Sequence, residues 1–221
     1  MTKAPSRRGD ALSQEKIVEA AIAILDKDGE SALTFRTLAK HLATGSGAIY
    51  WHIADKTALL AAATDHIMAR ALTGAGATDP HATIRAMALK IFDTINAHPW
   101  LGAQLSGEPW QPAAMRIFER MGHQLHAPGV PEEAQFNAAS ALSNYILGLA
   151  GQYAAAARRL PRGTDRVAFL DNIAAQWMKL DPAAYPFMRR MAVQLPAHDD
   201  RVQFLAGIDL ILIGIEAAKQ T

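Results

Sequence analysis

Three observations predict an all-α fold. Valine occurs only five times, at 18, 130, 167, 193 and 202, no stretch alternates apolar and polar residues, and apolar residues recur at helical spacing along the chain. Strands draw on β-branched residues with a period of two and helices on an apolar stripe with a period of about 3.6; only the helical pattern is present here. The first helix carries Ile17, Ala20, Ala21, Ile24 and Leu25 and stops at Gly29. Thr34 is a suitable N-cap for a short second helix with Leu38 and Leu42 one turn apart, and Ile49 and Ile53 mark a third. Asp55 caps a fourth helix through Leu59, Leu60, Ile67 and Met68 to about Leu72, before the break at Thr73-Gly74-Ala75-Gly76-Ala77.

Asp79-Pro80 is a strong start for a fifth helix, with a carboxylate at the cap and proline where its missing N–H costs nothing. That helix carries Ile84, Ala88, Ile91 and Ile95 and ends before Pro99, because the residue preceding a proline resists helical geometry. Shorter pieces are expected around 99–105 and 112–126, then a long helix from Gly129-Val130-Pro131 to about Arg159. Leu160 to Gly163 reads as a loop, Val167 to Leu180 as a helix, and Asp181 to Pro196, with three prolines, as a turn or two of helix at most. Phe204 to Ala218 closes the chain as an apolar helix, giving nine or ten helices in all.

At 221 residues the chain is long enough for a full core, and 50% hydrophobic with 19% charged residues is an ordinary globular balance. The absence of cysteine excludes disulfides, thiolate zinc sites, iron–sulfur clusters and a cysteine nucleophile. Residues 1–13 are polar and basic with no apolar run, so a cytoplasmic location is expected. A net charge of only +1 advertises no global field, so any nucleic-acid partner must be met by a local patch. Ala134 to Ala157 lacks Asp, Glu, Lys and Arg, but its alanines, serines and carboxamides suit a buried interface helix rather than a membrane span.

Three helices within about the first 53 residues, the last two short and joined by Ala43-Thr44-Gly45, have the layout of a helix-turn-helix. Leu38, Leu42, Ile49 and Ile53 supply the apolar inner face. Ser46, Gly47 and Ala48 are small enough to approach base edges, and Arg36, Lys40, Tyr50, His52 and Lys56 are placed for phosphates. Lys3, Arg7 and Arg8 are candidates for a basic arm.

The run Leu33-Thr34-Phe35-Arg36-Thr37-Leu38-Ala39-Lys40-His41-Leu42, followed by Gly47-Ala48-Ile49-Tyr50-Trp51-His52 and Asp55-Lys56-Thr57-Ala58-Leu59-Leu60, resembles the tetracycline-repressor (TetR) family of transcriptional regulators. Ser13 to Ala21 is similar too, and His98-Pro99-Trp100 and Phe204 to Glu216 look like segments of the family's regulatory domain. The chain departs from the family pattern with Ala43 where glycine is usual, Thr44 at an apolar position and Gly45 at a side-chain cap. The resemblance implies DNA contacts from Thr34, Arg36, Thr37, Ser46, Gly47, Ala48, Tyr50, His52 and Lys56, with Trp51 divided between DNA and packing. It also implies an inducer cavity within helices 80–97, 112–126 and 134–157. The candidate lining residues are Met87, Ile91, Trp100, Leu105, Trp110, Phe118, Met121 and Tyr145, with Asn144 and Gln152 orienting the ligand. Met87, Ile91 and Leu105 stand where tetracycline-binding members carry polar drug and magnesium ligands, so a metal-chelated drug is not expected.

Ala141, Gly148 and Ala155 recur every seventh residue and, with Leu210 and Ile213, are the material of a two-fold four-helix interface. Glu119, His123 and His126 share a helix face, but without paired Glu-x-x-His motifs they read as a solvated or dimer-adjacent face rather than metal-binding. No nucleophile elbow, phosphate loop or zinc-protease motif occurs, so no catalytic residue, metal or cofactor is assigned. The expectation is a DNA-binding unit at 1–56 and a ligand-binding and dimerisation domain at 57–221, linked by the helix 55–72. The function expected is a homodimeric repressor of a palindromic double-stranded operator, released by a small apolar or amphipathic effector. The alternative is an all-α small-molecule-binding protein or enzyme with a merely structural trihelix.

Overall fold

The structure, a computed structural model, describes residues 12–74, 79–107, 110–126, 130–159 and 165–218. Eleven α-helices and two short 3-10 turns make up the regular structure of the described residues, with no strand among them. The front unit comprises α1 (Gln14–Asp28), α2 (Phe35–His41) and α3 (Ser46–Tyr50). The Ser13 hydroxyl caps α1, the Thr34 hydroxyl accepts from the Thr37 N–H at 3.0 Å to cap α2, and Gly29 ends α1 at φ +80°. Helix α4 (Lys56–Ala71) is capped by Asp55, which accepts from the Ala58 N–H at 2.8 Å.

The rest is a bundle of α5 (Pro80–Ala97), α6 (Trp100–Gly107), α7 (Pro112–His126), α8 (Glu132–Arg159), α9 (Arg166–Met178), α10 (Pro186–Ala192) and α11 (Asp200–Ala218). Helices α6 and α7 lie along α8, α5 packs between α8 and α11, and α9 packs on α10 and the 195–197 turn. One apolar core runs through the front unit and the bundle, because α4 serves both: its Leu59, Leu60 and Ala63 join Ile17, Leu38 and Ile49 in a cluster that continues through Met68 and Leu72 to Ile84, Ile91 and Leu142. Outside the core, Arg116 on α7 pairs bidentately with Asp65 on α4 at 3.0 and 3.2 Å. Arg85 and Asp93 on α5 pair with Asp209 and Arg201 on α11.

The closing helix begins at Asp200, four residues before the expected Phe204, because Asp199 acts as an additional cap whose carboxylate accepts the N–H groups of Arg201 and Val202 at 2.8 and 2.9 Å. The proline-rich stretch folds into α10 and the turn at Leu195–Ala197, a little more helix than expected. No helix among the described residues is long and apolar enough to cross a membrane.

Candidate nucleic-acid interface and regulatory core

The α2–α3 turn fixes the geometry of the front unit. Helix α2 ends in a Schellman arrangement, with the Thr44 N–H donating to the Ala39 carbonyl at 2.9 Å and the Ala43 N–H to the Lys40 carbonyl at 3.3 Å. This closure needs a left-handed residue after the cap, and Ala43 supplies it at φ +50°, a region an alanine enters at a cost of roughly 1–2 kcal/mol. Alanine at the glycine position therefore keeps the turn and strains it. Gly45 caps α3 without a side-chain hydrogen bond.

Leu38 and Ile49 are sealed at the α2–α3 contact, so the opposite surfaces of both helices face outward. Ser46 and Gly47 are exposed and Ala48 half-buried at the start of α3, and Thr34, Arg36, Thr37 and His52 are exposed around it. Tyr50 is 57% exposed and meets Phe35 edge-on at 4.4 Å, which holds its phenol at the rim. Trp51 is 90% exposed, so packing plays no part at that position. Lys56 is exposed, and its Nζ donates to the Glu30 carbonyl at 2.8 Å, with its remaining N–H donors uncommitted. Residues 31–54 carry Arg36, Lys40, His41 and His52 and no carboxylate, a local sign bias that the net charge of +1 hides and that could have been read from the residue order. Such a surface can receive a polyanion and present small groups to it. Lys3, Arg7 and Arg8 lie outside the described residues.

The residues proposed to line a cavity do not converge. Met87, Ile91, Leu105 and Met121 are buried in the bundle core. Trp100 is buried at the α1–α6 contact, where its indole N–H donates to Asp26 at 2.8 Å. Phe118 is half-buried and meets Phe136 edge-on at 6.0 Å. Trp110 is 83% exposed.

Tyr145 packs between α8 and α11. It stacks on Phe204, its hydroxyl donates to the Phe204 carbonyl at 3.3 Å, and burial pushes its phenol up from the ordinary value. Asn144 points outward as well, because it lies three residues after Ala141 and four before Gly148, on their face of α8. Gln152 is exposed too, but borders a cleft against α9.

Ala141 and Gly148 face outward on α8, Ala155 is exposed too but lines the cleft against α9, and Leu210 and Ile213 on the adjacent α11 are 71% and 66% exposed. Small residues on one helix and uncovered branched ones on its neighbour form a broad apolar surface, of the kind that monomers rarely leave open to water. Among the described residues no group of three His, Asp or Glu side chains is placed to hold a metal ion, and His123 and His126 are exposed.

Comparison with known proteins agrees with this layout. The model of the bacterial regulatory proteins of the tetR family matches residues 17–63, and that of the tetracyclin repressor-like C-terminal domain matches residues 75–219. The structure of SCO7222, a TetR transcriptional regulator of Streptomyces coelicolor, is similar with a TM-score of 0.83 at 52% identity, covering 95% of this chain and 100% of that one. An HTH-type transcriptional regulator of Saccharopolyspora erythraea is 32% identical over 65% of this chain and 61% of its own length. The HTH-type transcriptional repressor DrrR1 of Streptomyces coeruleorubidus is 26% identical over 93% of this chain and 77% of its own.

Proposed function

The chain belongs to the tetR family of bacterial regulatory proteins, and on that premise we propose that it is a ligand-responsive repressor that binds a palindromic DNA operator as a homodimer. The observation that carries this reading is the surface built by α2 and α3: an exposed small-residue tip on a closed turn, ringed by Arg36, Lys40, Tyr50 and His52 with no carboxylate between residues 31 and 54. In the major groove, Arg36 would donate to a base edge, Ser46, Gly47 and Ala48 would admit close approach, and Thr34, Thr37, Tyr50, Trp51, His52 and Lys56 would meet the flanking backbone. The DNA-binding unit is taken as residues 1–56 and the regulatory domain as 57–221, with α4 as the shared lever.

A single unit of this size reads one half-site, and a pair reads two that lie about 34–36 Å apart. The outward faces of α8 and α11, with Ala141, Gly148, Ala155, Leu210 and Ile213, are the surface through which two copies would pair. An effector releases DNA only if it binds the DNA-incompetent arrangement more tightly, and α4 is the element through which such a change would alter the spacing of the two tips. The name of DrrR1 as a repressor supports the sign of regulation.

The test uses a duplex selected by the protein from a random pool. Wild-type protein should bind it despite competitor DNA and lose affinity steeply with salt. Arg36→Ala should lose roughly 1–3 kcal/mol of discrimination at one base pair while its unfolding curve stays unchanged. Arg36→Ala and Tyr50→Ala proteins that both bound as well as wild type would end this reading. Deleting the gene should raise transcription from a promoter carrying the selected site; lowered transcription would make the protein an activator.

A further inference from the structure

Beside the α5–α6 junction a cleft of about 890 Å³ opens between the C-terminal half of α8, α9 and the start of α11. Ile95, Leu149, Phe169 and Leu170 give it an apolar interior, and this volume is in the range of sites for small organic molecules, about 300–1,000 Å³. Six polar side chains also line it: Asn96, Gln152, Arg166, His198, Asp200 and Gln203. At one end Asp200 receives Arg166 at 2.8 Å and His198 at 3.1 Å, which holds the Arg166 guanidinium in place with its other N–H groups still available. The carboxamides of Asn96, Gln152 and Gln203 border the cleft and have no hydrogen-bond partner among the described residues.

One wall of the cleft is Pro99, and the two residues that flank it both reach α1. The His98 ring Nδ1 lies 2.7 Å from Asp26 Oδ1, and the Trp100 indole N–H donates to the same oxygen at 2.8 Å. Nearby, the Gln104 side chain donates to the Glu30 carboxylate at 3.2 Å, so the segment 98–104 holds the end of α1 and the turn that follows it. The wall of the cleft and the grip on the front unit are thus three consecutive residues.

We propose that this cleft, assembled from Phe169, Leu170, Gln152 and Arg166 against Pro99, is the effector site, that it takes an apolar molecule bearing one acidic group at the Arg166 end, and that the 98–100 segment relays its occupancy to Asp26. The apolar walls require an apolar body, the guanidinium selects the acidic group, and the bordering carboxamides accept hydroxyl or carbonyl substituents. A molecule seated against Pro99 shifts His98 and Trp100 together, and Asp26 then moves with them or loses a donor. This inference rests on the repressor reading only for its DNA readout; occupancy of the cleft is measured apart from DNA.

The experiment uses the full chain and 8-anilinonaphthalene-1-sulfonate, an aromatic anion whose fluorescence reports an apolar site. Wild-type protein should bind the probe saturably. Leu170→Trp, which fills the cleft, and Arg166→Gln, which removes its charge at an exposed position, should each weaken binding by about tenfold or more, with circular dichroism unchanged. Probe affinity equal to wild type in both variants overturns the site. So does a loss of probe signal with Leu210→Glu but with neither cleft variant, because the probe would then sit on the α8–α11 face. Probe binding that strengthens as the protein dissociates into monomers also overturns it, since a second copy would then fill the cleft.

For the relay, saturating probe should release the selected duplex from wild type, whereas Asp26→Asn should bind the probe as well as wild type and release less DNA. Equal release from both proteins overturns the relay and leaves the site standing. A protein that binds the probe in the cleft but no duplex at all refutes the repressor reading instead.

Discussion

Gly207 on α11 leaves the notch that Tyr145 of α8 fills. A methyl group at 207 would overlap the phenol ring and its hydroxyl, which donates to the carbonyl of Phe204 one turn away. The close approach of α8 and α11 therefore depends on a missing side chain, on the two helices whose other faces form the exposed apolar surface. Gly207→Ala should lower stability by about 1–3 kcal/mol, the usual cost of overpacking, in denaturant unfolding. Tyr145→Phe, which loses only the hydrogen bond to the Phe204 carbonyl, should be milder at neutral pH and should also change the alkaline limb. Burial raises the folded-state pKa of Tyr145 above its ordinary value of 10.0, so its contribution is complete below that value and is lost as pH rises through the folded pKa. Stability of Tyr145→Phe should fall less than that of wild type in strongly alkaline buffer.

Ala43→Gly should stabilise the front unit. The left-handed conformation costs alanine roughly 1–2 kcal/mol that glycine does not pay, offset by about 0.5–1 kcal/mol of extra chain entropy in the unfolded state. A net gain of up to about 1.5 kcal/mol is expected in thermal unfolding, with the helical circular dichroism preserved. A loss of stability would show that the φ +50° geometry at Ala43 carries little strain.

Asp199 anchors the start of α11, and the N–H of Val202 is the main influence holding its carboxyl below the usual carboxylate range, helped by the Arg201 N–H and the Arg166 charge. A depressed acid contributes stability above its unfolded pKa and loses it as pH falls through the folded one. Acidification should therefore fray the start of α11, seen as faster amide exchange at Arg201 and Val202. Asp199→Ala should show that fast exchange already at neutral pH, and Asp199→Asn, which keeps an acceptor oxygen, should suppress its pH dependence.

Leu210→Glu places a charge on the α8–α11 surface, at a position 71% exposed within one chain. If this surface pairs two copies, the variant should sediment as a folded monomer at concentrations where wild type is a dimer. It should also lose most of its affinity for a two-half-site duplex while retaining weak binding to a single half-site. An unchanged sedimentation profile would place the pairing surface elsewhere.

Local chemistry was the most legible part of this chain. Thr34, Asp55 and Asp79 are capping residues standing just before apolar periodicity, and each starts a helix where its side chain says it should. Asp199 escaped because it follows Pro196-Ala197-His198 and precedes Asp200-Arg201, with no apolar stripe beginning beside it. Ala43 was legible as a position in conflict only through the family resemblance, which puts glycine there, since alanine is a poor choice for the left-handed turn that glycine usually marks.

The regulatory core was less legible, because its geometry depends on which way a helix turns against its neighbours. Asn144 and Gln152 are similar carboxamides on one helix, yet only Gln152 borders the cleft. Tyr145 could be judged only together with Gly207, sixty-two positions later. The cleft draws its walls from α5, α8, α9 and α11 and from Pro99 between α5 and α6, and no periodicity within any one segment reports such an assembly.

The continuity of the core through α4 constrains how the molecule can be divided. A fragment cut at residue 56 would leave Ile17, Leu38 and Ile49 facing water on the side that Leu59, Leu60 and Ala63 now cover. Exchanging reading heads between relatives would therefore succeed only with the splice beyond Leu72, carrying the whole of that shared helix as part of the head.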